Sequence, residues 1–394
     1  MIERTPASNP LTPSARSGIG AFVVMDIMRE TSARQAAGED IIHMEVGQPG
    51  TPAPRLVREA VIREIGRSPL GYTDALGHPA LRERIAQHYR EAYELDVSPA
   101  RIVVTTGSSA GFVLAFLALL DPGNGIALPQ PGYPCYRQIA RVFGLRPVYL
   151  PARAETRFMP SPEHLRLALS DGGARAVLLA SPANPTGAML SAAELASLVQ
   201  VARDAQGWFI SDEIYHGLTY AAPAATALSF WDEAIVINSF SKYFSMTGWR
   251  IGWMVVPERL IRVFERLAQN LYIAPPAVSQ AGALAAFDAT EELEAYKAVY
   301  AKNRDMLLNE LPEAGFGKLA PADGAFYLYA DIAHLTGDAE DFVRRMLAEI
   351  GVGATPGIDF DEEEGRHFVR FSYAGTFENM AEAARRLRAW KAAR

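Results

Sequence analysis

Ser239-Phe240-Ser241-Lys242-Tyr243-Phe244-Ser245-Met246-Thr247-Gly248-Trp249-Arg250 follows a short apolar run, Ala234 to Ile237. A lysine flanked by small hydroxyl residues, with an arginine a few positions on, can hold an anionic carbonyl cofactor. The amine condenses with the carbonyl while hydroxyl and guanidinium grip a phosphate. Pyridoxal phosphate meets that description. Phe240, Tyr243 and Phe244 adjoin the lysine and are expected to desolvate its ammonium, lowering its pKa toward the free amine that condensation requires. A solvated lysine after a strand would read the same in isolation, so the argument turns on the rest of the chain.

With 394 residues, 49% of them hydrophobic and 21% charged, the chain can bury a large core and divide into two domains. A net charge of −7 gives no electrostatic reason to expect nucleic acid or an anionic membrane as partner. The single cysteine, Cys135, rules out an internal disulfide framework and a cysteine metal cluster, and suits a reducing compartment. The longest apolar run, Ala110 to Leu120, is too short to span a bilayer. The N-terminus has no apolar leader pattern. A cytoplasmic protein with no metal is the expectation.

Residues 1–18, rich in Pro, Ser and Thr, read as a loose arm. A helical face runs from Phe22 toward Gly38, and Ile41 to Val46 reads as a strand stopped by Gly47-Gln48-Pro49-Gly50. From Pro54 to about Ala289, helical patterns alternate with strands at Arg101–Thr106, Gly125–Leu128, Ala174–Ala180, Trp208–Ser211 and Ala234–Asn238. These runs are continuously apolar rather than alternating, which predicts parallel strands covered on both faces in an open α/β sheet. Ligands of such sheets bind beyond the carboxyl ends of the strands.

The residues at those ends carry chemistry. Gly107-Ser108-Ser109 opens an apolar helix, and its backbone N–H groups and hydroxyls can cap a phosphate or simply cap the helix. Pro129-Gln130-Pro131-Gly132-Tyr133-Pro134 presents a tyrosine that can stack on a heteroaromatic ring or pack its own loop. Ser181-Pro182-Ala183-Asn184-Pro185-Thr186-Gly187 aims the Asn184 amide from a tight turn. In Ser211-Asp212-Glu213-Ile214-Tyr215, an Asp after an apolar run needs a cationic partner, either a pyridinium or a structural arginine. Beyond a long connector helix, Glu291 to Leu311, strands at Ala325–Ala330 and His367–Tyr373 and helices at Glu340–Ile350 and Asn379–Lys391 form a smaller α+β unit, completed by the N-terminal segment. Arg370, in an aromatic-rich strand, can fork onto a carboxylate or sit at the surface.

Ser-Pro-Ala-Asn-Pro-Thr-Gly at 181–187, Ser-Asp-Glu-Ile-Tyr at 211–215, Ser-Phe-Ser-Lys at 239–242, Thr-Gly-Trp-Arg at 247–250 and Phe-Val-Arg-Phe-Ser at 368–372 together resemble the class I/II aminotransferases. The match runs in order from Gly47 to Ser372, and its joint occurrence is specific. The resemblance implies a fold-type I pyridoxal phosphate enzyme: a large domain at 49–290 with a mostly parallel sheet, a connector and small domain at 291–394, and an N-terminal segment at 1–48 joining the small domain. It implies that Lys242 binds the cofactor covalently and then carries a proton between substrate Cα and cofactor. Asp212 would keep the pyridine nitrogen protonated, and Asn184 and Tyr215 would bond the phenolic oxygen. Tyr133 would stack on the ring. Ser239, Ser241, Arg250 and the Gly107-Ser108-Ser109 helix start would hold the phosphate. Arg370 would clamp the substrate carboxylate with Asn184 and the Gly47 backbone. Tyr72 would reach the phosphate of a neighbouring subunit's cofactor, implying a homodimer with shared sites.

Transfer of an amino group from an amino acid to a 2-oxo acid is the expected activity. A β- or γ-eliminating lyase uses the same lysine and is the alternative; a DNA-binding regulator with a related domain would need a longer stretch before Gly47. Some aspartate-preferring relatives carry a lysine where Ser109 aligns. Its absence puts a dicarboxylate preference in doubt and leaves neutral or aromatic donors open.

Overall fold

The structure, a computed structural model, describes residues 11–392. Seven strands form the main sheet in the order Ile102–Thr105, Gly252–Val255, Ile235–Ser239, Trp208–Asp212, Ala174–Ala180, Gly125–Gln130, Arg146–Pro151. Gly252–Val255 runs antiparallel to both neighbours. The remaining neighbours pair in parallel.

Residue alternation shows why these strands read as unbroken apolar runs. Val104, Val177, Leu179, Phe209 and Val236 enter one buried cluster, whereas Val103, Leu178, Ile210, Ile235 and Ile237 enter another on the opposite face. Helices cover both faces, so both residue parities are driven inward. The helix Gly107–Leu119, between sheet and neighbouring helices, is apolar on nearly every side for the same reason.

The expected strands are present with shifted ends; Asp212 is the last residue of its strand rather than the first residue beyond it. Two sheet strands were not legible. Arg146–Pro151 is an edge strand with a mostly half-exposed pattern, and Gly252–Val255 lies shortly beyond the lysine motif. The expected strand at Ile41–Val46 shrinks to Ile42–His43, because only that pair finds a partner, Val352–Gly353, in parallel. That pairing joins the N-terminal segment to the C-terminal part of the chain.

A four-stranded antiparallel sheet, ordered Thr355–Pro356, Phe368–Ser372, Tyr327–Asp331, Lys318–Leu319, lies beyond the helix Thr290–Glu313. It packs with Ala339–Ile350 and Phe377–Ala392 around a separate buried cluster that includes Leu328, Phe342, Val369, Phe371 and Leu387. Asp338 caps the first of these helices by accepting the Glu340 and Asp341 N–H groups, and Gly351 ends it at φ +66°. Of the expected arm, residues 1–10 lie outside the described residues. Ala15–Ser17 forms a 3₁₀ turn, and the helix Val23–Ala36 follows. Among the described residues no helix is long and apolar enough to cross a membrane, and no group of side chains is arranged to hold a metal ion.

Candidate active site

Register sets the site. Ala180 pairs with Asp212, Asp212 with Ile237, and Ser239 with Gly252, so the loops bearing Asn184 and Lys242 leave the same end of the sheet as Asp212. They open into a cavity of about 490 Å³ lined by Ser108, Ser109, Tyr133, Asn184, Asp212, Tyr215, Ser241, Lys242, Arg250, Gly47 and Arg370. Segments far apart in the chain thus converge where the sheet rule puts a ligand.

Lys242 donates from Nζ to the Gly47 carbonyl at 2.6 Å. Its pKa falls to about 8, chiefly through burial and then through the nearby Arg370 and Arg250 charges. The aromatic rings that meet Nζ are not those adjoining it in sequence. Nζ lies 5.9 Å from the Tyr215 ring centroid and 6.0 Å from that of Phe326. Phe240 and Phe244 instead turn into a core cluster with Trp253 and Phe287, and the Tyr243 hydroxyl donates to Glu294. Successive residues of a turn point in different directions, which corrects the expectation that sequence neighbours dry this lysine.

Asp212 is 3% exposed. Its Oδ1 accepts the Ile214 N–H at 3.1 Å, and its Oδ2 accepts a short hydrogen bond from the Tyr136 hydroxyl. Burial raises its pKa to about 6, against the lowering effect of those two donors. Tyr136 was not singled out from sequence; it stands three residues past Tyr133, on the same face of the helix Pro134–Val142, and that spacing could have flagged it. Tyr133 packs edge-on against Tyr136 and Phe22, with centroids 5.2 and 5.9 Å away.

At the helix start, a Cβ on Gly107 would lie 2.5 Å from Arg250 Nη2, so glycine lets the guanidinium close on the first turn. Ser108, Ser109, Ser241 and Thr247 line the cavity there. Ser239 does not. It is 1% exposed, and its hydroxyl donates to the Ile251 carbonyl and pairs with the Ser241 hydroxyl. It therefore supports Ser241 rather than facing the cavity.

Arg370 is 2% exposed, which removes the surface alternative. It donates to Asn184 Oδ1 at 2.9 Å, to the Glu45 carbonyl and to Thr355 Oγ1, while its Nε, buried, has no partner among the described residues. The Tyr327 and Phe360 ring centroids lie 4.4 and 4.7 Å from its Cζ. Tyr327 also exchanges a hydrogen bond with Tyr215, hydroxyl to hydroxyl at 2.6 Å, and burial pushes both phenols up. A Cβ on Gly47 would lie 2.1 Å from the Tyr327 hydroxyl, which explains the glycine there. Neither Tyr327 nor Phe360 carried a local signal.

Tyr72 is not brought to this cavity. It is 85% exposed and lines a different one with Leu70, Gly71, Thr73 and Leu284.

The residues present fit pyridoxal phosphate. Hydroxyls, a helix N-terminus and Arg250 make an anion-binding end, the buried Asp212 carboxylate asks for a cation within the cavity, and Lys242 is poised toward its neutral amine. Arg370 offers the one further cation among the lining residues.

The family model for aminotransferase class I and II matches residues 39–387. The valine–pyruvate aminotransferase of Mycobacterium tuberculosis is 44% identical over 95% of this chain and 97% of its own length. An aspartate aminotransferase of Sulfurisphaera tokodaii is 31% identical over 96% of both. Among solved structures, an aminotransferase from Mycobacterium tuberculosis superposes with a TM-score of 0.95 at 43% identity, covering 98% of this chain and 100% of its own. The aspartate aminotransferase from Thermus thermophilus with maleate gives 0.91 at 29%, covering 96% and 100%.

Proposed function

The chain belongs to the class I and II aminotransferases, pyridoxal-phosphate-dependent enzymes that move an amino group between an amino acid and a 2-oxo acid, and we propose that its donor is an amino acid with an apolar side chain. The observation that carries this is the cavity wall. Phe22, Val24, Met25, Met28 and Val46 line it, and among the described residues its only cations are Lys242, Arg250 and Arg370. With Arg250 against the Gly107 helix start, Arg370 alone is left for a substrate carboxylate, and a second carboxylate would meet apolar surface. The 44% identity to a protein named valine–pyruvate aminotransferase supports the same class of donor, with a small 2-oxo acid as acceptor.

When bound, the cofactor supplies the carbonyl that takes up the amino group and the ring that accepts the electron pair left at Cα. In our reading Arg370 orients the donor through its α-carboxylate, helped by Asn184 and the Gly47 segment. The Lys242 amine removes the Cα proton and returns one on the other side of the transfer; its lowered pKa keeps part of it neutral near pH 8. Asp212 holds a proton on the pyridine nitrogen, and Tyr136 holds Asp212. Asn184 and Tyr215 serve the phenolic oxygen and Tyr133 the ring face. Ser108, Ser109, Ser241, Arg250 and the Gly107 turn serve the phosphate, with Ser239 behind them.

The same reading divides the chain at 1–48, 49–290 and 291–394, and makes it a cytoplasmic homodimer. Tyr72 fits the dimer: it is exposed and lines a cavity other than that of Lys242, so the phosphate our reading gives it belongs to another subunit's cofactor. Mixing Tyr72→Ala with Lys242→Ala protein would restore activity in the mixed dimer alone.

A donor screen tests the substrate reading. With pyruvate or 2-oxoglutarate as acceptor, valine, alanine or leucine should outpace aspartate and glutamate. Aspartate as the best donor would overturn it. Ammonia and a 2-oxo acid formed without any acceptor would mean elimination instead.

A further inference from the structure

Close in sequence to Asp212 but outside the lining of the cavity lies a buried polar group that the transfer chemistry does not use. His216, 7% exposed, is hydrogen-bonded at both ring nitrogens: Nε2 to the Ser181 carbonyl at 3.1 Å and Nδ1 to the Tyr93 hydroxyl at 2.7 Å. A carbonyl only accepts, so Nε2 carries the proton, and Nδ1 accepts from Tyr93. The imidazole is then neutral and fully satisfied. Burial and the nearby His88 keep it so, holding its pKa at about 3. Glu213 Oε2 stands 3.5 Å from Nδ1 without a hydrogen-bond partner, and burial raises the Glu213 carboxyl to about 7, while Glu213 Oε1 accepts from Ser211, Thr226 and the Ala227 N–H. Burial thus pushes both groups toward their neutral forms.

The geometry joins three segments. His216 belongs to the turn just past Asp212 that contains Tyr215, and its own N–H donates to the Glu213 carbonyl at 2.9 Å. Ser181 opens the loop that carries Asn184, whose Oδ1 accepts from Arg370 and whose Nδ2 is left to donate into the cavity. The other end of Ser181 is tied by its Oγ, which accepts the Leu190 N–H at 3.0 Å. Tyr93 ends the helix Pro79–Tyr93. We propose that His216 is a positioning residue: by donating to the Ser181 carbonyl it sets the Asn184 amide relative to Asp212 and Tyr215, with Tyr93 fixing the tautomer that can donate. The proposal rests on the reading that Asn184 bonds the cofactor's phenolic oxygen.

The test uses the holoenzyme and three readouts: the pH midpoint of the bound cofactor's visible absorbance, KM for a good donor, and melting temperature. In His216→Phe both bonds are lost at similar shape. The midpoint should move upward, because Asn184 donates less well to the phenolate, and kcat/KM should fall by about tenfold, the weight of one neutral hydrogen bond. His216→Gln, whose amide can donate to Ser181, should return both toward wild type. Tyr93→Phe leaves the ring in place but frees its tautomer, and should give a smaller shift in the same direction whether or not His216→Phe folds. Asn184→Ala is the reference and should move the midpoint most. If Asn184→Ala moves it while His216→Phe and Tyr93→Phe change only the melting temperature, His216 is a structural residue and the proposal fails. An unmoved midpoint in Asn184→Ala removes the reading on which the proposal stands, and the proposal with it.

Discussion

Arg370 Nη1 donates to Asn184 Oδ1 at 2.9 Å, joining a strand of the four-stranded sheet to a loop of the seven-stranded one. In our reading one of these side chains serves the substrate and the other the cofactor, and they hydrogen-bond each other. The guanidinium is otherwise held by the Glu45 carbonyl, Thr355 and two aromatic rings, so its direction is set by parts of the chain on either side of it.

Truncating Arg370 is expected to cost roughly 2–5 kcal/mol in kcat/KM, since a substrate carboxylate is left unpaired in a dehydrated cleft. Arg370→Lys keeps the charge but loses the planar fork and should fall between wild type and Arg370→Ala. Cofactor content, measured by absorbance, should survive both changes, because our reading puts the phosphate at Arg250 rather than Arg370. Unchanged kcat/KM in Arg370→Ala would move the carboxylate site elsewhere.

Lys242→Ala should remove the visible absorbance of the covalently held cofactor and essentially all turnover. Spectra of the purified variant before and after added pyridoxal phosphate decide this. A wild-type protein that stays colourless with cofactor would contradict the role of the lysine.

Asp212→Asn should keep the fold and lose more than the ~10²–10⁴-fold assigned to one acid–base group, because an amide cannot hold the ring proton. Tyr136→Phe removes only one donor to that carboxylate. Its loss should be nearer tenfold, on the order of one hydrogen bond. Steady-state rates at saturating cofactor separate the two, and equal losses would make Tyr136 a direct participant.

The ionisable groups of the cavity make stability depend on pH in a defined way. In the protein without cofactor, Lys242 titrates at about 8 rather than 10.5, and Asp212 at about 6 rather than 3.8. Between 8 and 10.5 the unfolded chain binds more protons at the lysine, so stability rises with pH there. Between 3.8 and 6 the folded chain binds more protons at Asp212, so stability falls as pH rises. Both costs are present from pH 6 to 8. Lys242→Met should therefore raise the melting temperature of the apoprotein at pH 7, and calorimetry should find that gain shrinking as pH climbs from 8 to 10.5. A gain independent of pH would assign it to packing.

Ser109 lines the cavity at the helix start. Ser109→Lys supplies a second cation and should raise kcat/KM for aspartate or glutamate, by about tenfold or more if the new charge pair is well desolvated, at the expense of valine. A donor profile that does not change would place side-chain recognition away from this helix.

The sequence by itself determined the sheet and the loops that carry the chemistry. Parallel strands covered on both faces leave an apolar run whichever way the register falls, and Asn184, Asp212 and Lys242 sit at or just past such runs, so both strand and site residue are local signals. It also named Arg370, but not its burial. Only the tertiary structure decided that Tyr215 and Phe326, not Phe240 and Phe244, dry Lys242, that Tyr136 holds Asp212, that Ser239 stands behind Ser241, and that Tyr327 and Phe360 hold Arg370. Each of these depends on which way a side chain points from a turn, or on contacts such as those across 112 and 186 positions between the two sheets. Periodicity reports the face of a single element toward its own core. The partner that face will meet is set only when the elements pack.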